Sequence, residues 1–339
     1  MVKYILALSF ALLLCACGAS VEEFGGPTMG SHYSLKYVQI EGVPPRERLQ
    51  GEVEGLLAEV DRQMSTWRAD SDLSRFNQLP AGACMAMSES VLQLVRFGAQ
   101  LSASSEGAFD LTVQPLMELW GFGAQSRGRR VPAAEEIAAV LPAIGQRHLR
   151  IDGERLCKDA FLRVDLDAIA AGAAADRIAT RLSELGVRSF LLEITGELKA
   201  VGHKPDGSPR TVAIVAPLGE GREEQLRLAL DGLGVSTSGD YRNYFEAGGQ
   251  RYSHTFDPRT GRPVSHDLAS VSVVDASVLR ADGLSTTLMV LGPEAGMAYA
   301  EREGVAALFI RRDGERFVTR ASTAFVRRFG DPQAPGAGM

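Results

Sequence analysis

The sequence predicts an α+β fold: largely antiparallel sheets with flanking helices, packed into one body. Three observations predict it. Helical and strand patterns alternate irregularly, several strand pairs are joined by two-residue turns, and no repeat or low-complexity linker divides the chain. The 339 residues are 45% hydrophobic and 23% charged, an ordinary globular composition. A net charge of −6 gives no basic footprint and argues against a nucleic-acid partner. The 36 glycines and only 7% aromatics suit tight turns and sites lined by backbone.

The first stretch, residues 1–16, reads as a targeting segment. Lys3 precedes the apolar run "YILALSFALLL", which is too short to span a bilayer comfortably, and Leu14-Cys15-Ala16-Cys17-Gly18 follows. The order resembles a bacterial lipoprotein signal, with cleavage before Cys17 and lipid on that thiol. A buried first strand is the alternative. Residues 17–24 are then expected as a lipidated tether on the periplasmic side of a bacterial membrane, inner or outer. The fold is expected over 25–329 and a disordered tail over 330–339. Cys84 and Cys157 either pair as a disulfide or stand as two buried thiols, and neither lies in a zinc spacing.

Residues 28–40 alternate as a strand. "ERLQGEVEGLLAEVDRQMS" repeats its apolar residues at helical spacing, from Leu49 through Val53, Leu57 and Val60 to Met64. "SESVLQLVRFGAQLSASS" is a second helix with Ser88 as its N-cap. "AAEEIAAVLPAIG" is a short helix stopped by Pro142. "HLRIDGERLCKD" is a hairpin turning at Asp152-Gly153. A helix ending at Gly186 follows, then strands "SFLLEI" and "ELKAVG" on either side of Thr195-Gly196. "TVAIVAP" and "LASVSVVDA" are further strands. "ADGLSTTLMVLG" opens a helix, and a hairpin turning at Asp313-Gly314 closes the pattern.

No GxSxG, P-loop, HExxH or strand-borne GxGxxG appears. Dense polar-glycine segments appear instead: "PTMGSHY", "MSTWRADSDLSRFN", "GAFDLTVQPLMELWGFG", "VDLDAIAAGAAAD", "LLEITGELKAVG", "STSGDYRNY" with the following "RYSHTFDPRTGRPVSH", and "RADGLSTTLMVLG". Singly, each has a plain structural reading. Trp67 is a half-buried aromatic, "GAFD" a capped turn, "DLDAIAAG" a closely packed helix, "ADGLSTT" a helix cap and His254 a satisfied core group.

In this order, across roughly Gly25 to Ala300, the segments resemble the ApbE family, the FAD:protein FMN transferases. Three of them, "MSTWRADSDLSRFN", "GAFDLTVQPLMELWGFG" and "SGDYRNY" through "SHTFDPRTGRPVSH", are highly specific. The resemblance implies an ApbE-like body and Mg²⁺-dependent transfer of FMN from FAD to a threonine or serine hydroxyl of a target protein. The bond is a phosphoester, and AMP is released. It implies acceptors among flavoprotein subunits of membrane redox complexes. The other readings are an FAD pyrophosphatase and a non-catalytic FAD-binding lipoprotein. A ligand-free structural lipoprotein leaves the segments unexplained.

Residue by residue, the resemblance assigns Met29, Trp67, Ala108, Phe109, Asp110, Asp165, Ala171 and Phe256 to FAD. It assigns Asp282, Thr286 and the Ala168 carbonyl to the metal, with Ser285 alongside. Asp282 and Thr286 lie four apart and share one helix face. Small residues at Ala168, Ala170, Ala171 and Gly172 are expected to let backbone approach the phosphates. His254 is expected as the general base, because an attacking hydroxyl must lose its proton. It faces the same way as Phe256 on an extended strand, beside an Asp257-Pro258 turn supported by Arg259 or Arg262. The alternative is a hydrogen bond from His254 to FAD or to the turn. His266 is expected to be structural. Two departures stand out. Many members carry a lysine or an acid where this chain has Ala171, and often Gly-Gly where it has Thr195-Gly196.

Overall fold

The computed structural model of the chain describes residues 20–123, 126, 128–215, 224–240, 243–314 and 316–334. The chain opens with β1 (Ser20–Thr28) and β2 (Ser31–Gln39), then α1 (Arg46–Met64) and α2 (Asp72–Gln78). Next come β3 (Cys84–Ala86), α3 (Glu89–Ser104), α4 (Gln114–Trp120), α5 (Ala134–Val140), β4 (Leu149–Asp152) and β5 (Arg155–Lys158). The long α6 (Asp167–Glu184) leads to β6 (Phe190–Ile194), β7 (Glu197–Val201), β8 (Arg210–Val215), β9 (Glu224–Leu230) and β10 (Leu233–Gly239). Four short strands follow: β11 (Tyr244–Ala247), β12 (Gln250–Ser253), β13 (Phe256–Asp257) and β14 (Arg262–Pro263). The chain closes with β15 (Leu268–Asp275), α7 (Val278–Glu303), β16 (Ala306–Asp313), β17 (Arg316–Ala321) and α8 (Thr323–Phe329).

Eight strands form one sheet in the order β1-β2-β6-β7-β10-β15-β16-β17. Every neighbouring pair is antiparallel, as the alternation and two-residue turns predicted. Strand sequence follows position in the sheet. β15 is buried at every residue except Asp275, whereas the edge strand β17 exposes alternate residues. β6 divides its side chains by parity: Phe190, Leu192 and Ile194 enter the main core, while Leu191 and Glu193 face the other side.

The main core lies between one sheet face and α1, α3, α6 and α7. α3 shows why its sequence folds as it does. The Ser88 hydroxyl accepts from Val91 N at 3.4 Å, and Val91, Leu92, Leu94, Val95 and Leu101 fill one buried face. Each such side chain contributes about 1.5–3 kcal/mol of burial. α6 and α7 touch closely because Gly172 has no side chain: a Cβ there would lie 2.7 Å from the Val278 carbonyl oxygen. The small-residue run therefore serves helix contact. Ala170, Ala171 and Gly172 are buried in it, and only Ala168 reaches the cavity. A second core, on the other sheet face, is covered by β8–β9 and α8. A third is aromatic, built from Trp120, Phe122 and Phe256 with Ile137 and Ile144.

Several expectations shift. Residues 20–24, expected as tether, belong to β1 and pair with β2. Asp152 pairs with Arg155, which moves the β4–β5 turn to Gly153-Glu154. Of the expected disordered tail, 330–334 form a turn with Gln333 Nε2 bonded to the Thr319 carbonyl, and 335–339 lie outside the described residues. Residues 1–19, including Cys17, also lie outside them. Cys84 and Cys157 sit opposite one another on β3 and β5 and form a disulfide. Among the described residues no helix is long and apolar enough to cross a membrane.

Pairing of β10 with β7 ends at Val235↔Leu198, yet β10 runs on to Gly239 beside β15. Past the β6–β7 turn the sheet is open along β10, and a large cavity forms there.

Candidate active site

The cavity measures about 660 Å³, within the roughly 300–1,000 Å³ of small-molecule sites. Ala108, Phe109, Asp110, Asp165, Ala168, His254, Phe256, Asp282 and Thr286 line it together, although they are spread over most of the chain.

Asp282 and Thr286 stand on the first turns of α7. Asp176 secures that helix start: its carboxylate accepts from Ser277 Oγ at 2.7 Å, Val278 N at 2.9 Å and Leu279 N at 3.1 Å. Asp282 Oδ2 accepts from Gly172 N at 3.0 Å, and its Oδ1 from Ser236 Oγ at 3.3 Å. Gly172 N is the group that a regular helix would direct at the Ala168 carbonyl. A carbonyl oxygen has two lone pairs, so that of the cavity-lining Ala168 keeps capacity for a further partner beside any helix bond. Ser238 Oγ lies 3.2 Å from Thr286 Oγ1 and 2.8 Å from Ser285 Oγ. Burial pushes the Asp282 carboxyl well above the usual carboxylate range, and the negative charge of Glu197 adds to this.

Asp165 is held from behind. Its N–H donates to the Leu111 carbonyl at 2.7 Å, and its Oδ1 accepts from Asp167 N at 2.8 Å. Asn77 pairs with the backbone of Val164 next door: Nδ2 donates to its carbonyl at 2.8 Å and Oδ1 accepts its N–H at 2.8 Å. The fully buried Lys158 Nζ donates to the carbonyls of Asn77 at 3.1 Å and Leu162 at 3.0 Å. Burial, with the positive charge of Arg163 adding to it, pushes this ammonium down to about 8. Burial raises Asp165 well above its ordinary value, ahead of the neighbouring Asp167 charge, and raises Asp167 too. Asp110 is also raised by burial, although Thr112 and the Gln146 N–H bond to it.

His254 comes from the segment between β12 and β13. Its backbone N–H donates to the Asn243 carbonyl at 3.0 Å, and its Nδ1 lies 3.1 Å from the same oxygen. A carbonyl only accepts, so the neutral ring carries its hydrogen on Nδ1 and leaves Nε2 bare. Burial lowers the imidazole below its ordinary value. The Asn243 carbonyl and Asp240 oppose that shift, and Arg129 adds to it. His254 and Phe256 do face the same way: Phe122 lies 6.5 Å from one ring and 5.8 Å from the other. Asp257 locks the turn by accepting from Arg259 N, Nε and Nη2 at 2.8–2.9 Å, so Arg259 is the arginine that supports it. His266 is structural, with Nε2 against the Met289 carbonyl at 2.9 Å.

Four expected residues do not line the cavity. Met29 forms the β1–β2 turn at φ 47 and packs on the main core. Trp67 is 69% exposed, because Ser71 and Ser74 both bond the Ser65 carbonyl and close the α1–α2 loop beneath it. Ala171 is buried between helices. Ser285 is fully buried behind Asp282 and Thr286, where it supports their hydroxyl network. The sequence reading missed Glu197, Asp167 and Asn243, all on the cavity wall. Asp167 and Glu197 each sit within two residues of a position it had flagged, which was the available signal.

A model of the ApbE family matches residues 29–309. The chain belongs to the ApbE family. It is 43% identical over 326 residues to the FAD:protein FMN transferase of Vibrio cholerae, covering 95% of this chain and 98% of that one. Its fold is similar to the apo crystal structure of Pseudomonas stutzeri flavinyl transferase ApbE. That match has 58% identity and a TM-score of 0.87, covering 92% of this chain and 98% of the other. The flavin transferase ApbE from Vibrio cholerae superposes with a TM-score of 0.85 at 42% identity, covering 91% of this chain and 99% of that one.

The two departures from the ApbE pattern now have structural consequences. Ala171 sends nothing toward the cavity. Thr195, on the cavity wall, adopts φ 55, and its hydroxyl donates to Glu197 Oε2 at 2.7 Å, a bond glycine cannot make.

Proposed function

We propose that this ApbE-family chain moves the FMN half of FAD onto a threonine or serine hydroxyl of a target flavoprotein. Mg²⁺ would be held by Asp282, Thr286 and the Ala168 carbonyl, with His254 as base. One observation carries the metal reading. Among the described residues the cavity wall has six carboxylates, Asp110, Asp165, Asp167, Glu193, Glu197 and Asp282, and no lysine or arginine. A pyrophosphate entering such a wall needs a cation of its own. The donors at Asp282, Thr286 and Ala168 are all oxygens, which suit Mg²⁺. No cluster of three or more His, Cys, Asp or Glu side chains that could hold a metal occurs among the described residues. The site thus contributes one charged ligand and leaves room for phosphate oxygens. Bound there, such an ion would neutralise the pyrophosphate and polarise the phosphorus under attack.

The protein's own groups do the rest. Phe256 and Phe109 give the flavin apolar contact, and Asp110 and Asp165 accept hydrogen bonds from ribityl, ribose or amino groups. His254 Nε2 takes the acceptor hydroxyl proton as the new O–P bond forms. The P–O bond to AMP breaks and AMP departs. Anchoring through Cys17, and acceptors among membrane redox subunits, belong to the same proposal. Labelling with a palmitate analogue, lost in Cys17→Ser, tests the anchor.

The direct test mixes the chain with FAD, Mg²⁺ and an acceptor domain and records the acceptor's intact mass. An FMN adduct that requires Mg²⁺ and Asp282 is expected. AMP and free FMN without an adduct would identify a pyrophosphatase instead.

A further inference from the structure

We propose that Arg129 is a positioning residue for this reaction, clamping the Asn243 side chain and the Tyr244 carbonyl so that His254 presents Nε2 to the cavity. The inference rests on His254 as the base. Arg129 Nη1 donates to the Tyr244 carbonyl at 2.6 Å and Nη2 to Asn243 Oδ1 at 2.9 Å. Asn243 is the residue whose carbonyl receives both the backbone N–H and Nδ1 of His254. One guanidinium therefore holds the side chain of the residue to which the imidazole is fastened and the carbonyl of the residue after it. A planar fork reaches two acceptors at once, which an ammonium does less well.

The arginine is itself placed. Its guanidinium carbon lies 5.3 Å from the centre of the Phe122 ring, which neighbours both His254 and Phe256. Gly121, at φ 92, makes room for its backbone: a Cβ there would stand 2.5 Å from Arg129 Cα and 2.4 Å from the Gly128 oxygen. Arg129 is not on the cavity wall, so it acts through Asn243. Among the described residues the other charged group facing the imidazole is Asp240, which is neutralised by a two-pronged pair with Arg312 at 2.6 and 2.8 Å.

The test is a double-mutant cycle on the transfer rate, read by acceptor mass, with FAD affinity measured in parallel. Arg129→Ala should slow kcat roughly tenfold or more with KM for FAD unchanged. Arg129→Lys should retain an intermediate rate. Removing the cation should also move the acid limb of the pH–rate profile upward. In a His254→Ala background, Arg129→Ala should add less than about a twofold loss, because a group acting through the imidazole has nothing left to orient. Gly121→Ala should reproduce the kcat loss with every charge intact. Wild-type kcat in Arg129→Ala, or an equal loss with and without His254, would overturn the proposal. Wild-type turnover in His254→Ala alone would instead remove the base assignment beneath it.

Discussion

Asp282 and His254 face one cavity, yet the walls that carry them are held by different means. Asp282 rises from α7, whose start is capped by Asp176 and whose flank is pressed on α6 at Gly172. Its neighbours Leu284 and Leu288 belong to the main core. His254 hangs between two-stranded sheets, fixed by one carbonyl, one arginine clamp and a small aromatic cluster. The Asp282 wall is thus part of what makes the chain fold, and the His254 wall is attached to it. Charge can be preorganised rigidly where the proposed cation would sit. The proposed base would have to admit a protein hydroxyl, and it is built on shorter, less buried pieces.

The sharpest test of this difference is Asp282→Asn, which removes the charged ligand while keeping its shape. FMN transfer should fall on the order of 10³-fold. Mg²⁺ should raise the melting temperature of the wild type but not of the variant, since only a bound ion stabilises the native state. A variant that transfers FMN with normal Mg²⁺ dependence would break the metal assignment.

His254→Gln comes next, with an expected loss of roughly 10²–10⁴-fold. FAD affinity should hold, and so should unfolding by urea near neutral pH, because this wall is peripheral to the core. The imidazole is held below its ordinary 6.5, so the base stays neutral there and the acid limb of the rate should lie below pH 6.5. The stability sign follows from the same shift. The unfolded chain takes the proton first, so stability falls as pH drops below 6.5 toward the folded value, and His254→Gln should flatten that slope. A large drop in neutral-pH stability would show the two walls to be one unit.

The disulfide sharpens the comparison from the other side. Cys84 and Cys157 are 73 residues apart, and closing that loop contributes about 4 kcal/mol on a chain-entropy account. Cys84→Ser with Cys157→Ser should lower stability by an amount of that order while leaving kcat near normal where the protein stays folded. Lys158, which holds the Asp165 segment, directly follows Cys157. A fall in FAD affinity would therefore show that the staple also positions the carboxylates.

Much of this was legible in the sequence. The hairpin turns at Thr195-Gly196 and near Gly153, the Ser88 cap and the α7 pairing of Asp282 with Thr286 all follow from local rules. What escaped depended on long-range contact. α2 and α4 span two turns each, too short for periodicity to declare them. The "DLDAIAAG" run reads equally as phosphate cradle or helix contact until α7 is placed against it. Trp67 looks like a stacking residue in its motif, yet only the loop closure at Ser65 decides that its indole faces outward. The clamp of Arg129 on Asn243 joins residues 114 apart, and no local pattern announces it.

The smallest expected effect concerns Thr195 on the cavity wall. Thr195 holds φ 55, a left-handed conformation that costs a β-branched residue about 1–3 kcal/mol. Glycine would relieve that strain and lose roughly 0.5–1 kcal/mol through unfolded-chain entropy. It would also give up the hydroxyl bond to Glu197. The terms nearly cancel, so Thr195→Gly should change stability by about 1 kcal/mol or less, in the stabilising direction. Its informative readout lies in the cavity. Glu197 faces Asp282 and raises its carboxyl, and the Thr195 hydroxyl holds one Glu197 oxygen. Losing that bond should alter the Mg²⁺ concentration needed for half-maximal transfer by a few-fold while leaving His254-dependent pH behaviour alone. An unchanged Mg²⁺ requirement would show that the threonine fills space on the Asp282 wall without tuning it.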